Sequence, residues 1–181
     1  DYYLQILKIN ITKKDSAGIF FSGLSMSVTP GKMGELLKCY ILKQISSTPV
    51  SISTSIVFAE RITDFISLII IAVIGAYIIG YGREISVLFG LLFLILVILL
   101  SSRKISLKII SLLEKIKIIS KFGKSIHNLY EGIYVLIKFK PLIITIFISS
   151  IGWFCECYGF YITLLAFDTH FKILSASFIY A

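Results

Sequence analysis

The chain has 181 residues, of which 57% are hydrophobic and 15% charged, and its mean hydropathy is +0.93. A water-soluble domain has roughly 45–50% apolar and about 25% charged residues, so this composition excludes an ordinary soluble globule and predicts a membrane protein. The excess of Lys and Arg over Asp and Glu, a formal net charge of +8, serves first to orient the loops of such a protein, and we expect no nucleic-acid partner.

The N-terminal part of the chain begins at Asp1 and contains an apolar-biased run over residues 17–28 that is too short to cross a bilayer. Because Pro and Gly follow it directly, the run is typical of a re-entrant or broken helix. The alternative is the end of a span whose first half lies in residues 1–14. At the other end, the chain stops at Ala181 inside an apolar stretch, so we expect both ends to be truncated.

A turn-forming motif, PGKMGE, follows this run and supplies five candidate substrate-binding residues: Pro30, Gly31, Lys32, Gly34 and Glu35. Glycine allows the backbone to approach a ligand closely. Lys32 can meet a phosphate, and Glu35 can meet an ammonium group or a sugar hydroxyl. The alternative is a turn that simply begins the next helix.

Three charged residues, Glu60, Arg61 and Asp64, lie at the start of the next apolar segment. On a helix, Glu60 and Asp64 are four residues apart and Arg61 is three residues before Asp64, so all three are neighbours. An Arg between two acids neutralises them and can also bind a phosphate. The alternative is an ion pair that only holds the end of the helix.

Three windows are long and apolar enough to span a bilayer, which needs about 20 apolar residues: residues 62–82, 85–102 and 141–167. Gly80 and Gly82 lie in the short connection between the first two windows, which predicts a helical hairpin. The chain is therefore predicted to be an all-α, polytopic membrane protein and to form part of one transmembrane domain.

The loop between the second and third windows carries nine basic residues and two acidic ones. Lys and Arg are enriched in loops that stay in the cytoplasm, so we expect a multi-pass protein of the cell membrane with residues 103–140 in the cytoplasm. The basic residues are Arg103, Lys104, Lys108, Lys115, Lys117, Lys121, Lys124, Lys138 and Lys140.

An amphipathic helix is predicted over residues 103–120. Its apolar residues recur at spacings of four and three: Ile105, Ile109, Leu112, Ile116 and Ile119. Lysines follow the same rhythm on another face, which is typical of a helix at the headgroup level of an anionic membrane. The alternative is a cytoplasmic helix whose apolar face packs on its neighbours.

Glu156 lies near the middle of the third window. A charge at mid-span is costly and normally faces a cavity or a partner, so we expect Glu156 to face the protein interior and to contact a headgroup or carry a proton. The alternative is a protonated acid or a structural hydrogen bond.

The sequence lacks the common catalytic patterns GxxxxGK[ST], GxSxG, HExxH and GxGxxG. Its three cysteines and two histidines have no zinc-ligand spacing. We therefore expect no catalytic residue, no metal and no cofactor.

The run from Ser27 to Lys38 and the later segment from Ala59 to Asp64 closely resemble the flippase-like family that includes the transmembrane region of lysylphosphatidylglycerol synthase. The resemblance implies a polytopic domain that moves a phospholipid or a lipid-linked substrate between leaflets. It also implies that Pro30, Gly31, Gly34, Glu35, Glu60, Arg61 and Asp64 occupy the family's motif positions. The family's second Pro-Gly-Gly-rich motif and an aminoacyl-transferring domain are missing, so synthase activity is not implied.

The first functional hypothesis is accordingly the translocation of an anionic phospholipid or a lipid-linked substrate, with membrane lipids as partners. Two alternatives stay open: a membrane-embedded enzyme that acts on a lipid-linked donor, and a structural membrane subunit. The sequence leaves the lipid, the energy source and the oligomeric state undetermined.

Overall fold

The computed structural model describes residues 1–26, 34–113, 115, 120–167 and 172–181. These residues form helices and no strands, which confirms the all-α prediction. The helices are α1 (Tyr2–Ile6), α2 (Lys13–Ser25), α3 (Gly34–Ser46), α4 (Val50–Ile79), α5 (Arg83–Ser101), α6 (Arg103–Leu113), α7 (Gly123–Leu136), α8 (Phe139–Leu165) and α9 (Ile173–Tyr180).

The chain divides into two compact units. The first unit comprises Asp1–Ala59 and Arg103–Lys138, and the second comprises Glu60–Ser102 and Phe139–Ala181. Helix α4 runs through both, with its first ten or so residues in the first unit. From Glu60 onward it has about 20 residues and a length of roughly 30 Å, which matches the hydrocarbon thickness of a bilayer.

Three of the described helices, α4, α5 and α8, are long and apolar enough to cross a membrane. They overlap the three predicted windows, but α4 begins at Val50 rather than near residue 62. The additional segment is rich in Ser and Thr, which lowers its hydropathy. Their hydroxyl groups bond to the helix's own carbonyls: Thr54 Oγ1 donates to the Val50 oxygen at 2.7 Å and Ser55 Oγ to the Ile52 oxygen at 2.6 Å. These bonds compensate the polar side chains and let the helix continue.

A tight turn joins α4 to α5, as the sequence predicts. Gly80 and Gly82 both have positive φ, at 82° and 72°, and glycine adopts this region without a steric penalty. Arg83 closes the end of α4, since its guanidinium donates to the Tyr77 carbonyl at 2.9 Å and lies 5.4 Å from the Tyr77 ring centroid.

In the first unit, α2 and α3 pack side by side. The Thr12 hydroxyl caps α2 by accepting from the Asp15 amide at 3.1 Å. Residues 7–12 are not helical, so the alternative of a span that begins in residues 1–14 is wrong. Each helix has 13 residues and a length of about 20 Å, too short to cross the hydrocarbon core. The re-entrant prediction concerns residues 17–28 and the Pro-Gly turn after them. Residues 17–25 lie in α2, and residues 27–33 lie outside the described part.

The remainder of the first unit packs around Tyr3, Ala59 and Leu136, which are 8%, 0% and 0% exposed. Helix α7 approaches the first part of α4 closely at Gly132, where an added Cβ atom would lie 2.6 Å from Ser55 Cβ. The predicted amphipathic helix is described as α6 up to Leu113, and Glu114 and residues 116–119 lie outside the described part.

Candidate functional site

The ion pair of the candidate site lies on α4 within the second unit. Arg61 Nη1 is 3.4 Å from Asp64 Oδ2, and the two side chains are 35% and 24% exposed. The neighbouring residues Ile62 and Thr63 are buried, at 8% and 3% exposure. The ion pair is therefore half-buried, at the end of the part of α4 that is long enough to span a bilayer.

Helix α8 joins this site through a serine. Ser149 Oγ donates to Asp64 Oδ1 at 2.6 Å. One turn further along α4, the fully buried Ser67 hydroxyl lies 2.8 Å from the Thr63 carbonyl oxygen and 3.2 Å from the Ile146 carbonyl oxygen of α8. Small hydroxyl residues of this kind hold membrane helices together where hydrophobic burial gives no net drive.

A narrow stripe of small and polar residues runs along α8. Its members recur at spacings of four, three, four, three and four, so they share one face of the helix. We call it the polar stripe: Thr145, Ser149, Gly152, Glu156, Gly159 and Thr163. The stripe is buried at Thr145, half-buried at Ser149 and exposed from Gly152 onward. No atom outside the local backbone lies within 4 Å of a Cβ atom added at Gly152 or Gly159.

Glu156 lies in the exposed part of the polar stripe, which differs from the expectation that it faces the interior. Its carboxylate accepts a hydrogen bond of 2.8 Å from the Tyr180 hydroxyl of α9. The Tyr180 ring is held between Phe160 and Trp153, whose ring centroids lie 5.4 Å and 6.4 Å away. A local hydroxyl donor from the neighbouring helix therefore compensates this carboxylate without placing it in the interior.

The PGKMGE motif contributes only its last two residues to the described part. Pro30, Gly31 and Lys32 lie outside it. Gly34 begins α3 and is buried against the Gly23 carbonyl of α2, so its lack of a side chain serves helix packing. Glu35 is half-buried in the first turn of α3. Gly34 and Glu35 belong to the first unit, whereas Arg61, Asp64 and Glu156 belong to the second.

Among the residues that the structure describes, no group of three or more His, Cys, Asp and Glu side chains could hold a metal ion. What the site offers instead is the Arg61 guanidinium and the half-buried Glu60 and Asp64 carboxylates on α4, a hydroxyl group from α8 and a further carboxylate, Glu156, along the same face of α8. These groups can bind a polar molecule through charge and hydrogen bonds.

A family model for the lysylphosphatidylglycerol synthase transmembrane region matches residues 1–181. The chain belongs to this family. The match covers both segments that carry the resemblance noted in the sequence, including the Glu60-Arg61-Asp64 group. The protein is therefore an integral membrane protein of this family.

The chain is similar to a UPF0104 membrane protein of Methanocaldococcus jannaschii, with 29% identity over 161 residues. The aligned region covers 82% of this chain and 63% of the relative, so the chain spans less than two thirds of that protein's length. No solved structure matches the chain.

The sequence analysis did not identify three residues of the site: Ser149, Ser67 and Tyr180. Ser149 and Ser67 carry no charge, so neither stands out in an apolar helix. The signal that could have found Ser149 is its place on the polar stripe, seven residues before Glu156 and on the same face.

Proposed function

We propose that this protein moves an anionic phospholipid or an anionic lipid-linked substrate between the two leaflets of the cell membrane, with its basic loop, residues 103–140, on the cytoplasmic side. The observation that supports the proposal is the Arg61-Asp64-Ser149 network, because a cation, a carboxylate and a hydroxyl group meet there next to the polar stripe. We assign Arg61 as the contact for the phosphate of the headgroup.

The distances within the network show that Asp64 is held more closely by α8 than by Arg61. The Arg61 to Asp64 distance of 3.4 Å is longer than the roughly 2.7–2.9 Å of a tight charge-assisted hydrogen bond. Asp64 is held more closely by Ser149, at 2.6 Å. A phosphate that draws Arg61 away therefore leaves Asp64 with its hydrogen bond to α8, which lowers the cost of the exchange.

The polar stripe supports a path for the headgroup. From Thr145 to Thr163 it is about 27 Å long at 1.5 Å per residue, close to the roughly 30 Å of the hydrocarbon core. Its glycine positions leave room for a headgroup, and Glu156 can accept hydrogen bonds from headgroup hydroxyl or ammonium groups. The acyl chains would stay in the bilayer, because the outward faces of α5 and α8 are apolar.

Lys32, Glu35 and the glycines of the PGKMGE motif enter the proposal as further headgroup contacts. The support for them is the family resemblance and their chemistry: an ammonium group for phosphate, a carboxylate for headgroup donors, and a backbone that allows close approach. Pro30, Gly31 and Gly34 would shape that approach.

The test is a translocation assay with the full-length protein in vesicles that contain phosphatidylglycerol labelled on its headgroup. An external quencher removes the label only from the outer leaflet, so translocation appears as a loss of the protected fraction. We expect Arg61→Ala to slow this loss about ten- to a hundredfold, because a hydrogen bond to a charged group contributes roughly 1.5–3 kcal/mol.

Lys121→Ala is the matched control, because it removes a cation from an exposed position in the first unit, and it should translocate at the unmodified rate. An Arg61→Ala rate equal to that of the unmodified protein would remove Arg61 from the headgroup path. A folded protein that moves neither labelled phosphatidylglycerol nor a labelled lipid-linked phosphate would overturn the translocation proposal.

A further inference from the structure

The structure distinguishes between the two interpretations of the amphipathic helix. Ile105, Ile109 and Leu112 of α6 are 42%, 49% and 53% exposed, so they are not packed on neighbouring helices. The inner side of α6 carries the buried Ser106, at 6% exposure, and the half-buried Leu107 and Ile110. The helix therefore turns its most apolar face outward, away from the protein.

Contacts with α7 are consistent with this orientation. Arg103 Nη2 donates to Glu131 Oε1 at 2.7 Å, and its guanidinium carbon lies 5.8 Å from the Tyr134 ring centroid. The Lys138 ammonium group lies over the same ring at 5.7 Å. Arg103 contacts α7 and Ser106 is buried, so both lie on the inner side of α6, and the side with Ile105, Ile109 and Leu112 faces out.

Charge identifies what covers the outward face. The exposed residues Lys104 and Lys108 lie along one edge of the apolar stripe, and the exposed Lys115 follows two residues after α6 ends. Residues 103–113, which form α6, include no acidic residue. An apolar stripe edged by lysines fits the boundary between acyl chains and phosphates, where lysines extend their charged ends to the headgroups. Only Ser102 separates α6 from α5, a helix long and apolar enough to cross the membrane, so the chain enters α6 at the membrane surface.

We propose that α6 is a docking surface for anionic phospholipid, with Ile105, Ile109 and Leu112 at the acyl boundary and Lys104, Lys108 and Lys115 at the phosphates. This surface is separate from the Arg61-Asp64-Ser149 network. It does not depend on the translocation proposal, because it would bind lipid on one face of the membrane without moving it.

The experiment measures the depth of nitroxide labels in the full-length protein. The protein is placed in nanodiscs of phosphatidylcholine, with or without roughly 30% of the anionic lipid phosphatidylglycerol. Single cysteines replace Leu112 and Ser111, which are adjacent in sequence but about 100° apart around the helix. The native Cys39, Cys155 and Cys157 are first replaced by Ala.

The expected result is a difference between the two labels that depends on anionic lipid. The label at position 112 should be more accessible to oxygen than to a water-soluble nickel chelate, and the label at position 111 should show the opposite preference. Adding phosphatidylglycerol should move the label at 112 deeper. The combined change of Lys104, Lys108 and Lys115 to Gln should abolish that shift, and the same three changes to Arg should preserve it.

Three results would overturn the proposal. The label at 112 could be shielded from both reagents, which would indicate packing on protein. It could be equally accessible to the water-soluble nickel chelate in both nanodiscs, or its depth could stay the same when phosphatidylglycerol is added. Hydrogen exchange of the unmodified protein gives a second measurement if the cysteine-free variant does not fold. Slower exchange of the α6 amides in phosphatidylglycerol nanodiscs supports the proposal, and unchanged exchange overturns it.

Discussion

The helices of the second unit and the α6–α7 pair of the first unit use polar contacts in opposite surroundings. In the second unit, large apolar side chains face outward and the polar contacts lie between helices, as at Ser149 with Asp64 and Tyr180 with Glu156. Between α6 and α7, the main ion pair joins an exposed Arg103 side chain, at 56%, to a half-buried Glu131 side chain, at 29%. Polar contacts in lipid specify which helices pair, whereas exposed ion pairs in water contribute little.

The first unit gains its stability from close packing instead. Gly132 of α7 lies directly against Ser55 of α4, and the core of Tyr3, Ala59 and Leu136 is buried beside the same helices. The comparison therefore predicts that a change in side-chain size costs most folding stability in the first unit, and that the loss of a hydrogen bond costs most in the second.

The largest loss of stability is expected for Gly132→Ala. The new Cβ atom would overlap the Ser55 hydroxyl and lie 2.6 Å from Ser55 Cβ, and Ser55 is fully buried with its hydroxyl bonded to Ile52. Such overpacking costs about 1–3 kcal/mol. The measurement is thermal unfolding in detergent, followed by circular dichroism.

Gly152→Ala is the matched control, because the added Cβ atom meets no neighbour within 4 Å; its unfolding midpoint should not fall. Adding Ser55→Gly to Gly132→Ala should recover part of the lost stability. If Gly132→Ala unfolds at the same temperature as the unmodified protein, α7 does not approach α4 as closely as described.

An intermediate effect is expected for Ser149→Ala. The variant removes the hydroxyl that donates to Asp64 at 2.6 Å, and a hydrogen bond to a charged group contributes about 1.5–3 kcal/mol. The half-buried Asp64 carboxylate can accept hydrogen bonds from other donors, which offsets part of that loss. We expect a lower unfolding midpoint and slower lipid translocation in the quenching assay.

Ser150→Ala is the control for that variant, since Ser150 is the adjacent hydroxyl residue and lies about 100° around the helix from Ser149. It should leave both measurements unchanged. Equal effects of the two variants would mean that α8 needs hydroxyl groups in general rather than the Asp64 contact.

The smallest effect on stability is expected for Arg103→Gln, because an exposed ion pair is screened by water and salt. The hydrogen bond and charge of Glu131 raise the pKa of Arg103 above its usual range. A cation with a raised pKa keeps its contribution to folding stability until the pH rises through that pKa. Loss of the Arg103 proton should therefore not weaken the ion pair between pH 6 and about pH 11.

The measurement is the unfolding midpoint of Arg103→Gln at low and high salt. We expect a small decrease at low salt that disappears at high salt. A decrease as large as that of Gly132→Ala would show that the ion pair, rather than packing, holds the α6–α7 region together.

The composition and periodicity of the sequence were sufficient to predict the class of the protein. Apolar runs of spanning length predicted three membrane helices, and three helices suited to crossing a membrane overlap those windows. The Gly80 and Gly82 turn was predicted from residue type alone, since few other residues adopt positive φ. The start of α4 was predicted too late, because Ser and Thr lower the hydropathy of a helix that bonds them internally.

The candidate site could be predicted only in part. Arg61 and Asp64 are neighbours on one helix, so helical spacing was enough to pair them. Ser149 is 85 residues from Asp64, and their contact depends on the rotation and height of two separate helices. No local pattern contains that information. The partner of Glu156 was inaccessible to sequence reasoning for the same reason, since Tyr180 belongs to another helix.

The sequence by itself determined the membrane class, the helices, the charged residues that share a helix turn and the amphipathic face of α6. The tertiary structure decided which polar groups meet across helices, that Glu156 is exposed with a tyrosine partner, and that the apolar face of α6 turns outward. The reason is physical: periodicity specifies the faces of each helix, whereas the neighbour of each face depends on packing between segments far apart in the chain.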